Sequence, residues 1–110
     1  MQKLRIVPIS ELKEKYTEKL IREILFILSN LEDFVPAADL KGKTETTPLE
    51  KLLEYNREPF FYFESIRKRK DNIIALIGHG IDLAAMGERF VFKKTEEGLK
   101  LISRDALWLS

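Results

Sequence analysis

Two short stretches carry the side chains from which chemistry could be built. The first is Gly78-His79-Gly80, inside "IIALIGHGIDLAAMGE" at residues 73–88. A strand that enters a helix through glycines brings successive backbone N–H groups together, and with the helix dipole that makes an anion site. His79 is the sole histidine, and an imidazole at that place could move a proton near neutral pH, with Asp82 and Glu88 close by in sequence. The competing reading is plainer: a turn that needs glycine where a side chain would clash, and a histidine at the surface or capping a helix. The glycine pattern is not a dinucleotide fingerprint, which would want glycine where Leu83 stands, and no Gly-Lys-Ser/Thr follows for a P-loop. The second stretch is Arg67-Lys68-Arg69-Lys70, directly after "FFYF". Such a run can neutralise several phosphates, and neighbouring aromatics can stack on bases. Lys93 and Lys94 extend the patch if the last hairpin lies beside this one. The competing reading is a solvated hairpin tip next to aromatics that serve the core.

The rest of the composition narrows the chemistry. There is no cysteine, which excludes disulfides, thiol catalysis and Cys-based metal sites, and one histidine excludes a His-rich metal centre. No cofactor and no metal site is expected. Nineteen basic against eighteen acidic residues give a net charge of +1, so wholesale coating of DNA is not indicated and any nucleic-acid contact has to be local. With 45% apolar and 34% charged residues in 110, the chain fits one globular domain rather than a disordered or membrane protein. No apolar run approaches the ~18 residues that span a bilayer, and the first residues do not read as a signal peptide. A cytoplasmic protein is expected. One glutamine and three asparagines amid abundant Lys, Glu and Arg lean toward a thermophilic source.

The elements that would hold these side chains follow from periodicity. Residues 3–7 read as a strand ended by Pro8. A helix over about 11–30 follows from Leu12, Tyr16, Leu20, Ile24, Ile27 and Leu31. Its apolar second half serves either the core or a dimer interface, and a homodimer is expected. Residues 32–47 read as a long connection, flagged as a candidate lid or contact loop. Thr47-Pro48-Leu49-Glu50 opens a second, two-turn helix with a capping box. "PFFYFESI" and "IIALI" read as strands joined by a polar connection, "RKRKDN". A short third helix is expected over 81–88, weakened by Gly87. "RFVFKKT" and "LKLISR" then form a hairpin around "EEG", with Gly98 at positive φ. "DALWLS" extends the last strand or packs Trp108 over an edge. The sum is a single α+β domain over 1–110: a small sheet of four to five strands on two to three helices, in the order β-α-α-β-β-α-β-β.

Residues 73–85 resemble the Alba family of archaeal nucleic-acid-binding proteins in Gly78, His79, Gly80, Ile81 and Ala84. The family's Ser-Lys pair is Asp82-Leu83 here. The resemblance implies a dimer that grips the nucleic-acid backbone with basic residues. "IGH" also looks like the viral ring nucleases, which implies a cyclic-oligonucleotide-cleaving enzyme using His79, though the polar residues expected next are Gly80-Ile81. "FKKTEEGLKLIS" is similar to the closing wing of winged-helix regulators. The leading expectation is a small non-enzymatic binding protein for nucleic acid or another phosphate-rich partner. Arg67, Lys68, Arg69, Lys70, Lys93 and Lys94 would supply charge, and Gly78, His79 and Gly80 backbone donors. The alternatives are a phosphodiester- or nucleotide-directed enzyme built on His79, and a protein–protein adaptor dimerising through the first helix.

Overall fold

A computed structural model describes residues 7–34, 36–53, 60–81 and 84–109. All described helices precede all described strands: α1 (Ile9–Lys15), α2 (Glu18–Ser29), α3 (Ala37–Leu40) and α4 (Leu49–Leu53), then β1 (Phe60–Arg69), β2 (Asn72–Ile81), β3 (Ala84–Thr95) and β4 (Gly98–Leu109). The strands form one antiparallel sheet in the order β1-β2-β3-β4. The α+β class stands, with four strands among the described residues.

The order differs from expectation in four places, one of them the short helix α3 inside the segment 32–47 expected as a connection, which brings the described helices to four. The single helix expected over 11–30 is two, because Tyr16 is extended and Thr17 starts a new helix, its hydroxyl accepting from the Leu20 amide at 3.2 Å. The helix expected over 81–88 is strand: β2 continues through Gly78-His79-Gly80 to Ile81, and β3 runs from Ala84. Pairing on both sides overrides the weak helical signal there, since Gly78 faces Tyr62 on β1 and Gly87 on β3. "RKRKDN" is not a long connection either. β1 and β2 pair out to Arg69↔Asn72, leaving Lys70 and Asp71 as a two-residue loop with Lys70 at φ 56. The strand expected over 3–7 lies outside the described residues except for Val7, whose amide donates to the Phe63 carbonyl.

One face of the sheet carries the core. Ile21, Ile24, Leu25 and Leu28 of α2 are fully buried, together with Phe61, Phe63, Ile73, Ile77, Phe90 and Phe92. Each such side chain contributes about 1.5–3 kcal/mol on leaving water. The buried residues of α2, Ile24 among them, therefore serve this chain's own core, while Phe26 on the same helix is 51% exposed. The segment 32–47 is packed down as well: Phe34, Ala37, Leu40 and Thr44 are buried, and Arg22 donates to the Thr44 and Thr47 carbonyls. No described helix is long and apolar enough to cross a membrane.

Candidate nucleic-acid interface

Strand alternation sorts the side chains onto two faces. Across the sheet from the helices, neighbouring residues form rows. Tyr62, Gly78, Gly87 and Trp108 share one row across all four strands. A side chain at 78 would collide with the Tyr62 ring and one at 87 with the Trp108 indole. The two glycines thus let two aromatic rings lie down on the sheet from its opposite edges, as aromatics do when they cover strand glycines. Phe60 stacks beside Tyr62, with ring centroids 6.2 Å apart and planes 10° from parallel. Trp108 Nε1 donates to Glu64 Oε1 at 3.0 Å, which fixes the indole. Burial, and then the Glu64 charge, push the Tyr62 phenol up to about 12, so it stays a neutral, donating hydroxyl.

Further along the same face come Ile74 and Val91, paired with Arg67 and Ser103, and then the row Arg69, Asn72, Lys93, Lys100. Ile74, Leu76 and Val91 are only half-buried and belong to no described core contact. Arg67, Arg69, Lys93 and Lys100 are exposed, with no carboxylate partner among the described residues. Arg89, nearer the aromatics, is instead held by Asp105 at 3.0 Å. Hydrogen bonds from Arg89 and Ser103 keep the Asp105 carboxyl below the usual carboxylate range.

The basic residues singled out from sequence are brought to one end of the sheet but not to one face. Arg67, Arg69 and Lys93 belong to the open face. Lys68 and Lys94 fall on the helix side, where both line a cavity with Ile73. Lys70 sits in the loop between β1 and β2. The Lys94 amide donates to the Asp71 carbonyl at 2.9 Å, so the two hairpins are joined at this end. Lys100 and the pair Tyr62 and Trp108 were missed. The period-two spacing of Phe60, Tyr62 and Glu64, and of Gly78 and Gly80, was the signal that could have found the aromatic row.

Gly78, His79 and Gly80 do not make an amide-lined turn. Their residues pair with Phe60, Phe61 and Tyr62 on one side and with Ala85, Met86 and Gly87 on the other, so the backbone donors are committed to the sheet. His79 faces the core with its ring 1% exposed. Phe34 packs on it at 4.6 Å between centroids. Nε2 lies 2.5 Å from Glu88 Oε2, and the fitting tautomer donates from Nε2, leaving Nδ1 buried without a partner. Glu88, itself 3% exposed, also accepts from Arg104 Nε at 2.6 Å and Nη2 at 3.2 Å. Arg104 reaches on to Asp33 at 2.9 Å. Desolvation holds His79 below its ordinary value, although Glu88 favours the charged ring. Arg104 already neutralises Glu88, so a neutral imidazole suffices. The arrangement clips the loop carrying Phe34 across β3 and β4, and it seals the imidazole from solvent. Among the described residues no group of three His, Asp or Glu side chains converges as a metal-ligand set.

Comparison with protein-family models, curated proteins and solved structures finds no match to this chain.

Proposed function

We propose that the chain binds single-stranded nucleic acid on the open face of its sheet. One observation carries this reading: among the described residues, the sheet face turned away from the helices holds flat aromatic rings at one end and unpaired cations at the other. Bases stack on Tyr62 and Trp108, while Arg67, Arg69, Lys93 and Lys100 take phosphates. Stacking on aromatics contributes about 1–3 kcal/mol per base and tolerates any sequence. Between the two ends, the half-buried Ile74, Leu76 and Val91 give an apolar strip that a base or sugar can rest on. A duplex hides its base faces, so it offers this surface only its phosphates.

The test is fluorescence anisotropy of a labelled ten-nucleotide single strand and of the same sequence as a duplex, across a salt series. Tighter binding of the single strand is expected, with a slope of log K against log salt of about −3 from four neutralised phosphates. Equal affinity for the two forms, or binding indifferent to salt, removes the stacking or the electrostatic half of the reading. Concentration-dependent dimerisation with no oligonucleotide binding would assign the face to a second copy of the chain.

A further inference from the structure

At the basic end of the sheet, on the helix side, a cavity of about 600 Å³ lies between the α1–α2 junction and strands β1 and β3. Four lysines line it: Lys15 and Lys19 from the helices, Lys68 from β1 and Lys94 from β3. Among the described residues one acid, Glu23, lines it with them, and its carboxylate already accepts from the Leu99 amide at 2.7 Å. Lys15 pairs with Glu11 at 3.2 Å, an exposed contact worth little. Lys19, Lys68 and Lys94 have no carboxylate partner among the described residues. Like charges gathered in one concavity repel until an anion enters, and such a concavity focuses the field on that anion.

We infer that this cavity is a site for a phosphate monoester. Four lysines lining one concavity suit a dianion better than the single charge of each phosphodiester in a continuous strand. Thr17 adds a hydroxyl whose oxygen accepts from Leu20 and whose hydrogen remains to donate. Tyr16 and Leu20, both half-buried, give the cavity an apolar wall that a sugar or base can rest on, and its volume suits a mononucleotide. The Tyr16 hydroxyl donates to the Ile66 carbonyl at 2.6 Å, tying the junction to the edge strand β1. Lys68 stands between Arg67 and Arg69 in that edge strand but points to the opposite face, so a strand on the open face reaches the cavity by passing over the β1 edge. The phosphate therefore comes from one of two sources: a free mononucleotide, or the phosphorylated end of a strand lying on the open face. The second source rests on the reading above, while the first does not.

Two assays separate them. In the first, Kd is measured for a ten-nucleotide single strand carrying a 5′-phosphate and for its 5′-hydroxyl counterpart. In the second, adenosine monophosphate and adenosine are titrated into isotope-labelled protein, and the amide shifts of Thr17, Lys19, Leu20 and Ile73 are followed. A preference of fivefold or more for the phosphorylated strand supports a strand end. It should vanish in Lys19→Ala/Lys94→Ala while the 5′-hydroxyl affinity stays within twofold. Cavity shifts with adenosine monophosphate and not adenosine support a free nucleotide, even if no oligonucleotide binds and the open-face reading fails. Oligonucleotide binding with no end preference, together with silent cavity amides, overturns the monoester site and leaves the open face standing. A preference that survives the double variant also overturns it. Both lysines are exposed, so the variant should keep the wild-type melting temperature.

Discussion

On the helix-covered face, the buried Glu88 carboxylate is closed between the neutral His79 imidazole and the Arg104 guanidinium. On the open face, Arg67, Arg69, Lys93 and Lys100 stand exposed without a carboxylate partner among the described residues. The same sheet thus holds charge in two ways. Where water is excluded, each charge needs a partner at hydrogen-bond distance, because an unpaired buried charge costs several kcal/mol. Where water remains, unpaired cations cost little and stay available for an external anion. His79 was the obvious residue to suspect of chemistry, yet its burial and pairing assign it to the fold. The residues without a carboxylate partner among those described, less conspicuous in sequence, are the ones the proposed binding uses.

Breaking the buried network should have the largest effect. Arg104→Met removes the cation from Glu88, whose side chain is 4% exposed, and is expected to destabilise by about 3–5 kcal/mol in urea unfolding. Arg67→Ala and Arg69→Ala should change stability by less than about 0.5 kcal/mol. Similar losses for both sets would erase the distinction between the faces.

Gly87→Ala comes next. Its methyl group meets the Trp108 ring, so the indole must lift from the sheet, at a cost of about 1–3 kcal/mol. Trp108 is the only tryptophan, so its emission should shift to the red. An unshifted spectrum would mean that the ring does not rest on the glycine.

Acid sharpens the comparison through His79. Burial holds its folded value below the ordinary one, which for an unfolded histidine is about 6.5. The stability contributed by the neutral ring is fully present above that value. It falls as pH drops through it, because the unfolded chain then takes up a proton that the folded chain refuses. Between pH 7.5 and 5.5 the wild type should lose more stability than His79→Gln, whose amide still donates to Glu88 but does not titrate. Equal losses would mean that His79 binds its proton alike in both states.

The smallest effect is expected at the hairpin loop. Lys70 holds φ 56, a conformation that costs a residue with a Cβ roughly 1–2 kcal/mol, partly offset by the greater entropy glycine loses on folding. Lys70→Gly should therefore be neutral or stabilising by no more than about 1 kcal/mol in thermal unfolding, and a clear destabilisation would argue against the left-handed loop.

Much of the sheet was legible because its strands keep apolar alternation. Phe61 and Phe63 on β1, and Phe90 and Phe92 on β3, are buried as their spacing implies, and Gly98 takes φ 118 as the last hairpin requires. What escaped depended on partners distant in sequence. Residues 84–88, "AAMGE", have poor strand character, and only pairing with β2 and the Trp108 ring over Gly87 makes them strand. The Arg69↔Asn72 pair is held by backbone alone, with no apolar side chain to announce it. Glu88 lies diagonally from His79 across that misjudged hairpin, so the ionic network was hidden with it. One signal was available: His79 has the same parity as Ile73, Ala75 and Ile77, and so points inward with them. The basic run was legible as charge, but its division between two faces follows from strand alternation, which a loop assignment discards.

The most direct measurement is Trp108 emission during titration with a single-stranded oligonucleotide at low salt, in the wild type and in Arg67→Glu/Arg69→Glu. Saturable quenching is expected in the wild type, with at least tenfold weaker affinity in the variant and an unchanged melting temperature. Oligonucleotide binding that leaves the indole emission untouched, or quenching equal in the two proteins, would contradict a shared aromatic and cationic binding face.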